Sequence, residues 1–246
     1  MANLIIDIGN TRAKLTLFEG ELPVETESTD NTSLEALPRF ATRRPLDHVI
    51  VGSVVNITPE AEQRILALGT PVLWFSPKTP VPLIENTYRT PHTLGADRLA
   101  AVLGARLLQP NRDVLVIDAG TCITYDLLDH DGRYLGGNIS PGVHMRLTAL
   151  HEHTARLPLV ELEGTIPPLG YNTETAIRSG VIMGIQHEIM GIVGQLRLAR
   201  PSLLVYLTGG DSLTLDTATR SIILSDPHLV ARGLNRILQY NVYEKH

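Results

Sequence analysis

Asp7 and Asp118 each close an apolar run, and each is followed two positions later by glycine, in LIIDIGNT and VLVIDAGT. Lys14 lies just past the first of these segments, and Asp97 and Arg98 sit together in GADR, residues 95–98. Glycine lets a turn's backbone approach a ligand closely, so that N–H groups aim at phosphate oxygens. An aspartate at a strand end can hold a hydrated Mg²⁺ that bridges phosphates. A lysine just past the turn supplies a mobile cation for a transferring phosphoryl group. Two such turns facing each other would grip a polyphosphate from both sides. Asp97 is suited to accept a hydroxyl proton, and Arg98 to hold an anionic group bidentately. Phosphoryl transfer needs these parts, because its catalysis is mostly positioning and charge stabilisation. Each has a structural alternative: Asp-x-Gly is common turn chemistry, and an Asp in the first turn of a helix is stabilised by the helix dipole.

The two Asp-x-Gly segments read as copies. Laying Asp7 on Asp118 carries Gly9 to Gly120, Asn10 to Thr121 and Leu17 to Leu128. Residues 3–8 predict a buried strand and 13–18 a half-buried one, with GNTR as the turn. Residues 48–55 and 71–76 are further strand-like runs, and TPEAEQRILALG between them has helical character. The Pro-rich stretch 77–91 reads as an ordered loop. Residues 93–109 predict a helix with Thr93 as N-cap and Leu99, Val102, Leu103 and Leu107 on one stripe. A turn at 109–113 precedes the second copy and sets the domain boundary, giving domains 1–112 and 113–246.

The second half predicts a hairpin from VLVIDAG and ITYDLLD, a strand near RYLGGNISPG and a helix around 143–154. A long helix at 173–198 carries Ile177, Val181, Ile185, Ile189, Ile192 and Leu196 on one face, and Gly180, Gly184 and Gly191 within it. Glycine costs about 1 kcal/mol relative to alanine in a helix interior. Close packing of another backbone is the plain explanation, the partner being the other domain or a second subunit. Residues 202–211 read as a late strand and those after 227 as a final helix. Two similar rounds of strands and helices favour two related α/β halves facing each other across a cleft.

Composition narrows the function classes. A net charge of −5 without a clustered basic excess argues against a nucleic-acid surface. No uncharged apolar run approaches the roughly 18–20 residues that span a bilayer, and MANLIIDIGN is not a signal peptide. The single Cys122 fits a reducing cytoplasm and reads as packing, because nothing in the sequence supplies it with a base. There is no Walker-type glycine loop and no dinucleotide fingerprint. His151, Glu152 and His153 lack the spacing of a helical metal site.

The chain resembles the type III pantothenate kinases of the acetate kinase, sugar kinase, heat-shock chaperone and actin superfamily. The resemblance is carried by DIGNTRAK (7–14), GADR (95–98), DAGT (118–121), GGNISPG (136–142), LP (157–158), GYNTETAIRSG (170–180) and TGGD (208–211), in family order over nearly the whole chain. It implies an actin-like ATPase fold of two duplicated ribonuclease H-like domains, and ATP-dependent phosphorylation of pantothenate to 4'-phosphopantothenate. By the same resemblance Asp7, Ile8, Gly9, Asn10, Thr11, Arg12, Ala13 and Lys14 form the ATP phosphate site, with Mg²⁺ on Asp7. Asp118 becomes the ligand of a monovalent cation, K⁺ or NH₄⁺, and Thr121 a second phosphate contact. Asp97 becomes the base, and Tyr88, Gly95, Ala96, Arg98 and Thr173 contact pantothenate. Gly209 and Gly210 lie where adenosine binds, and the substrate pocket is completed across a homodimer interface. Arg12 within the phosphate loop either adds a phosphate contact or faces solvent. The rivals are an accessory factor for gene expression, disfavoured by the retention of Asp7, Lys14, Asp97 and Asp118, and a phosphatase on the same fold, disfavoured by GADR.

Overall fold

The apolar run that ends at Asp7 forms β1 (Ala2–Ile8), and the alternating run after it forms β2 (Arg12–Glu19), paired antiparallel with Asp7 opposite Lys14. The coordinates are a computed structural model that describes residues 2–209 and 223–244. β3 (Leu22–Asp30), α1 (Leu37–Ala41), β4 (His48–Ser53), α2 (Pro59–Leu66) and β5 (Val72–Trp74) complete a first sheet of order β3-β2-β1-β4-β5. Then come β6 (Glu85–Asn86), α3 (Ala96–Leu108), β7 (Val114–Ala119), β8 (Cys122–Leu128) and β9 (Arg133–Pro141). α4 (Val143–Glu152), α5 (Thr173–Ala199), β10 (Leu204–Gly209), β11 (Leu224–Ser225) and α6 (Leu229–Gln239) follow.

The second sheet has the order β11-β10-β7-β8-β9-β6. With β6 set aside, it repeats the first strand for strand: third, second, first, fourth, fifth. In both sheets the strand that ends in Asp-x-Gly is central and lies parallel to the next strand outward, β1 to β4 and β7 to β10. The repeat seen in the sequence is therefore a repeat of topology. By contacts the chain divides into two compact units: Met1–Asn111 with Leu127–Gly136 and His228–His246, and Arg112–Asp126 with Gly137–Pro227. The second unit starts beside the turn at 109–113, and α6 belongs to the first.

In the first unit Leu4, Ile6 and Ile8 share a sheet face with Ala13, Leu15 and Leu17, all fully buried against Leu37 and Phe40 of α1 and Ala61 and Ile65 of α2. Each fully buried large aliphatic side chain on this face contributes about 1.5–3 kcal/mol. The opposite face carries Asn3, Ile5 and Asp7. There Asn3 Nδ2 donates to Asn235 Oδ1 of α6 at 2.9 Å, and Asn235 Nδ2 to the Gly20 carbonyl at 2.9 Å. α3 packs against α6 with backbones nearly touching: a Cβ on Gly104 would stand 2.1 Å from the Leu229 carbonyl oxygen, and one on Gly233 1.9 Å from that of Ala100.

Several sequence expectations change. β3 and α1 were not anticipated, because the outer face of β3 is polar and exposed and α1 is too short for a period to show. The Pro-rich stretch contains the short strand β6. The N-cap of α3 is Gly95, not Thr93, whose hydroxyl instead donates to the Thr90 carbonyl at 2.9 Å within a 3-10 turn. α3 is buried nearly all round from Arg98 to Ala105, and Leu107 lies outside that stretch, 38% exposed. On α5 the buried face runs through Ile177, Val181, Ile185 and Ile189 to Val193, with Ile192 and Leu196 only half-buried.

Candidate active site

Gly9 N–H donates to the Arg12 carbonyl at 3.0 Å and closes the first turn. Asn31, the residue after β3, donates its amide to the carbonyls of Gly9 at 2.9 Å and Asn10 at 2.7 Å. Asn10, Thr11 and Arg12 are exposed, and the Arg12 guanidinium reaches back to the Ser28 carbonyl at 3.4 Å. Ile8 and Ala13 point into the core, so only their main chain can meet a ligand. Asp7 and Lys14 are half-buried and directly opposed, which puts both side chains on one sheet face at about 4.5–5.5 Å between Cβ atoms. The loop that carries Asn31 is fixed by Asp30, whose carboxylate accepts from the backbone N–H groups of Thr32, Ser33, Leu34 and Glu35 at 2.5–3.1 Å. What little burial it has raises its pKa, but these hydrogen bonds outweigh that and hold it far below the ordinary carboxylate range.

The second turn is one residue shorter: Gly120 N–H donates to Cys122 O at 3.0 Å. The register of the repeat therefore slips at the turn. Past it, Leu17 corresponds to Leu127 rather than Leu128, and Lys14 to Thr124. The burial patterns agree in that register, with Ala13, Leu15 and Thr16 buried like Ile123, Tyr125 and Asp126. Gly142, which closes GGNISPG, donates its N–H to the Thr121 carbonyl at 3.0 Å. A Cβ there would stand 2.2 Å from Gly120 O, so only glycine fits. Asp118 pairs with Thr208 of β10, and Gly209 with Ala119. Gly209 adopts φ +112° against the Ala119 backbone, a second glycine-only position. Gly210 lies outside the described residues.

Behind this turn, in the same unit, Glu188 of α5 collects three donors at 2.6 Å each: Tyr125 Oη, Ser140 Oγ and Arg146 Nη2. Arg146 Nε also donates to the Pro141 carbonyl at 2.8 Å, which ties the end of β9 to α4. Burial pushes the Glu188 carboxyl up, but the three hydrogen bonds and the Arg146 charge outweigh it and hold the group below its ordinary value. Burial, and then the Glu188 carboxylate, push the Tyr125 hydroxyl up, so it remains a donor. A depressed folded-state pKa stabilises above the unfolded value and is lost as pH falls through the folded one. Glu188→Gln is expected to cost about 1–2 kcal/mol at pH 7. That gap should close as pH falls below about 4.3, the ordinary Glu value. Urea melts of both proteins at pH 7 and pH 3 check this; an equal gap at both pH values would contradict it.

At the head of α3 the Arg98 N–H donates to Asp97 Oδ1 at 2.8 Å. A Cβ on residue 95 would stand 2.4 Å from that same oxygen, so Gly95 makes room for the folded-back carboxylate. Arg98 is buried. Gly95 and Ala96 line a cavity of about 710 Å³ in the first unit, walled also by residues 53–56 at the end of β4 and 75–77 after β5. It is apolar along Val55, Phe75 and Leu99, with Ser53, Asn56 and Asn86 as polar groups. Tyr88 is not on its wall; it lies near Gly136, its ring tilted 60° from that of Tyr134 at 6.0 Å between centroids. In the second unit Thr173 stands exposed at the start of α5. The cap there is built by Asn172, whose Oδ1 accepts from Thr175 N at 2.9 Å.

A Cβ on Gly180, Gly184, Gly191 or Gly194 of α5 would meet nothing within 4 Å. The expected close packing of another backbone is therefore not supplied by the described residues of this chain. His151 is engaged by its Nδ1, 2.8 Å from the Leu157 carbonyl. Sequence reasoning missed Asn31, the Glu188 cluster and the buried Asp126, which accepts from Thr124 Oγ1 at 3.0 Å. Ser140 lies within GGNISPG, but the partners come from distant elements and leave no local signal.

The twice-repeated sheet with an Asp-Gly hairpin at each centre defines a kinase-type fold of the actin-like ATPase class. Solved structures of that class match it. A Campylobacter jejuni protein described as a Baf family transcriptional activator aligns with TM-score 0.60 at 21% identity, covering 97% of this chain and 98% of that one. The activator of the 2-hydroxyisocaproyl-CoA dehydratase from Clostridium difficile aligns with TM-score 0.55 at 15% identity, covering 100% and 97%. Within that class, the family model of type III pantothenate kinase matches residues 3–195. Proteins of that name from Bacteroides fragilis and Phocaeicola vulgatus are 50% and 51% identical over 97% of this chain and 98% of theirs. The chain belongs to the type III pantothenate kinase family.

Proposed function

We propose that this protein transfers the γ-phosphoryl group of ATP to the primary hydroxyl of pantothenate, the first step towards coenzyme A. The observation that carries the reading is the head of α3, where Gly95 and Ala96 line a partly apolar cavity and Asp97, next in the chain, has its carboxylate oriented by the Arg98 N–H, in a chain of this family. Asp97 takes the proton from the attacking hydroxyl. Arg98, Tyr88, Gly95, Ala96 and Thr173 hold pantothenate. The main chain of residues 7–14 and the Lys14 ammonium hold the ATP phosphates, Thr121 adds a contact, and Gly209 and Gly210 take the adenosine. Asp7 suits Mg²⁺, which is usually held by one or two carboxylates together with phosphate oxygens and water. When bound, that ion neutralises charge developing on the phosphates. Asp118 is the proposed ligand of K⁺ or NH₄⁺.

Residues 1–112 and 113–246 are proposed as the two duplicated ribonuclease H-like halves. The open glycine stripe of α5 is proposed as the homodimer contact that completes the substrate site. Gly184→Leu is then expected to convert a dimer to a monomer in light scattering; a wild-type monomer at micromolar concentration counts against the contact. No helix among the described residues is long and apolar enough to cross a membrane. A cytoplasmic location fits the single cysteine.

The function is tested by ADP release from ATP, with and without pantothenate, in K⁺ and then in Na⁺ buffer. Release that needs pantothenate and rises with K⁺ is expected. Release without pantothenate would indicate a hydrolase, and none at all from folded protein would favour an accessory role.

A further inference from the structure

We infer that Asn31 is a positioning residue for nucleotide binding: it sets the direction of the phosphate-contacting N–H groups in the first turn. The inference rests on the reading that this turn holds the ATP phosphates. Carbonyl and N–H point in opposite directions across a planar trans peptide. By drawing the carbonyls of Gly9 and Asn10 to one amide, at 2.9 and 2.7 Å, Asn31 turns the N–H groups of Asn10 and Thr11 to the opposite side. Two successive N–H groups aimed the same way make a concave anion site. The Gly9 N–H is committed to Arg12 O, so it is not part of this pair.

The position of Asn31 is itself fixed by the residue before it. Asp30 pairs with Arg12 across β2 and β3, which brings residue 31 out of the sheet beside the turn. The Asp30 carboxylate then fixes the backbone that follows through four N–H groups. The chemistry at position 31 is specific. An amide donates to both carbonyls, whereas a carboxylate of nearly the same shape would set its oxygens against theirs. Aspartate should therefore be worse than alanine, the reverse of what loss of packing alone would give.

The test uses full-length protein, ADP with Mg²⁺ as the calorimetric probe, and steady-state kinetics. Asn31→Ala is expected to weaken ADP about tenfold and Asn31→Asp further, with KM for ATP rising in step. KM for pantothenate and the melting temperature should stay near wild type. ADP affinities within twofold of wild type in both variants would overturn the inference. So would parallel losses in both KM values and in melting temperature, which mark a merely structural role. Hydrogen exchange of the wild type stands even if a variant fails to fold: ADP should protect the amides of Asn10 and Thr11, and unchanged exchange sinks the inference. Wild-type protein that binds no ADP refutes the nucleotide reading itself, a distinct result.

Discussion

Asp97→Asn is expected to lower kcat for pantothenate phosphorylation by about 10²–10⁴-fold, the range that a positioned general base supplies. At 1.36 kcal/mol per decade this is about 3–5 kcal/mol of barrier. The amide keeps the shape of the carboxylate and can still accept from Arg98 N–H, so the head of α3 should hold its form. It cannot take a proton from the hydroxyl. The fall should therefore appear in kcat, with KM for ATP and the melting temperature near wild type. Rates come from coupled ADP release under saturating substrates. A variant retaining more than a tenth of wild-type kcat would remove Asp97 from the base's role and leave it a helix-capping carboxylate. Gly95→Ala offers a graded companion, because its methyl group presses on the same oxygen.

The second large effect is on stability. Gly233→Ala puts a methyl carbon 1.9 Å from the Ala100 carbonyl oxygen and 2.8 Å from its Cα, all of it backbone. No rotamer change relieves that, so α3 and α6 must part. Overpacking costs about 1–3 kcal/mol and occasionally more, and a backbone obstacle belongs at the upper end. Alanine's better helix propensity returns about 1 kcal/mol. The net loss is about 2 kcal/mol, or about 4–8 °C in melting temperature for a chain of this size. Calorimetric melts of the variant and the wild type side by side decide the matter; equal melting temperatures would mean that α3 and α6 lie further apart than these distances.

The strands that carry Asp7 and Asp118 were legible because burial on one or both faces imposes its period directly on sequence. Their turns were legible because glycine is required where backbones approach. β3 was not, since an edge strand with an exposed polar face has little hydrophobic pattern to show. Thr93 looked like a cap because capping preferences are local, while its hydroxyl is taken by the Thr90 carbonyl and Gly95 stands at the N-cap. The slip between Leu127 and Leu128 escaped because a one-residue difference in turn length cannot be seen by sliding one copy over the other. Asn31 and Glu188 were invisible for a different reason. Each acts on groups brought near by pairing of distant segments, Asn31 on a turn in β1 and β2, Glu188 on side chains from β8, β9 and α4.

The α3–α6 crossing also bears on how the chain is made. α3 ends at Leu108, and the helix that presses on it begins at Leu229. During synthesis, at about 5–20 residues per second, α3 waits several seconds for its partner to leave the ribosome. Until then Ala100 and Gly104 present bare backbone to solvent, and the face of β1 that bears Asn3 lacks its cover. The segments of the other unit, residues 112–126 and 137–227, are all made before α6 appears. The unit that contains β1 is therefore the last to have all its segments made.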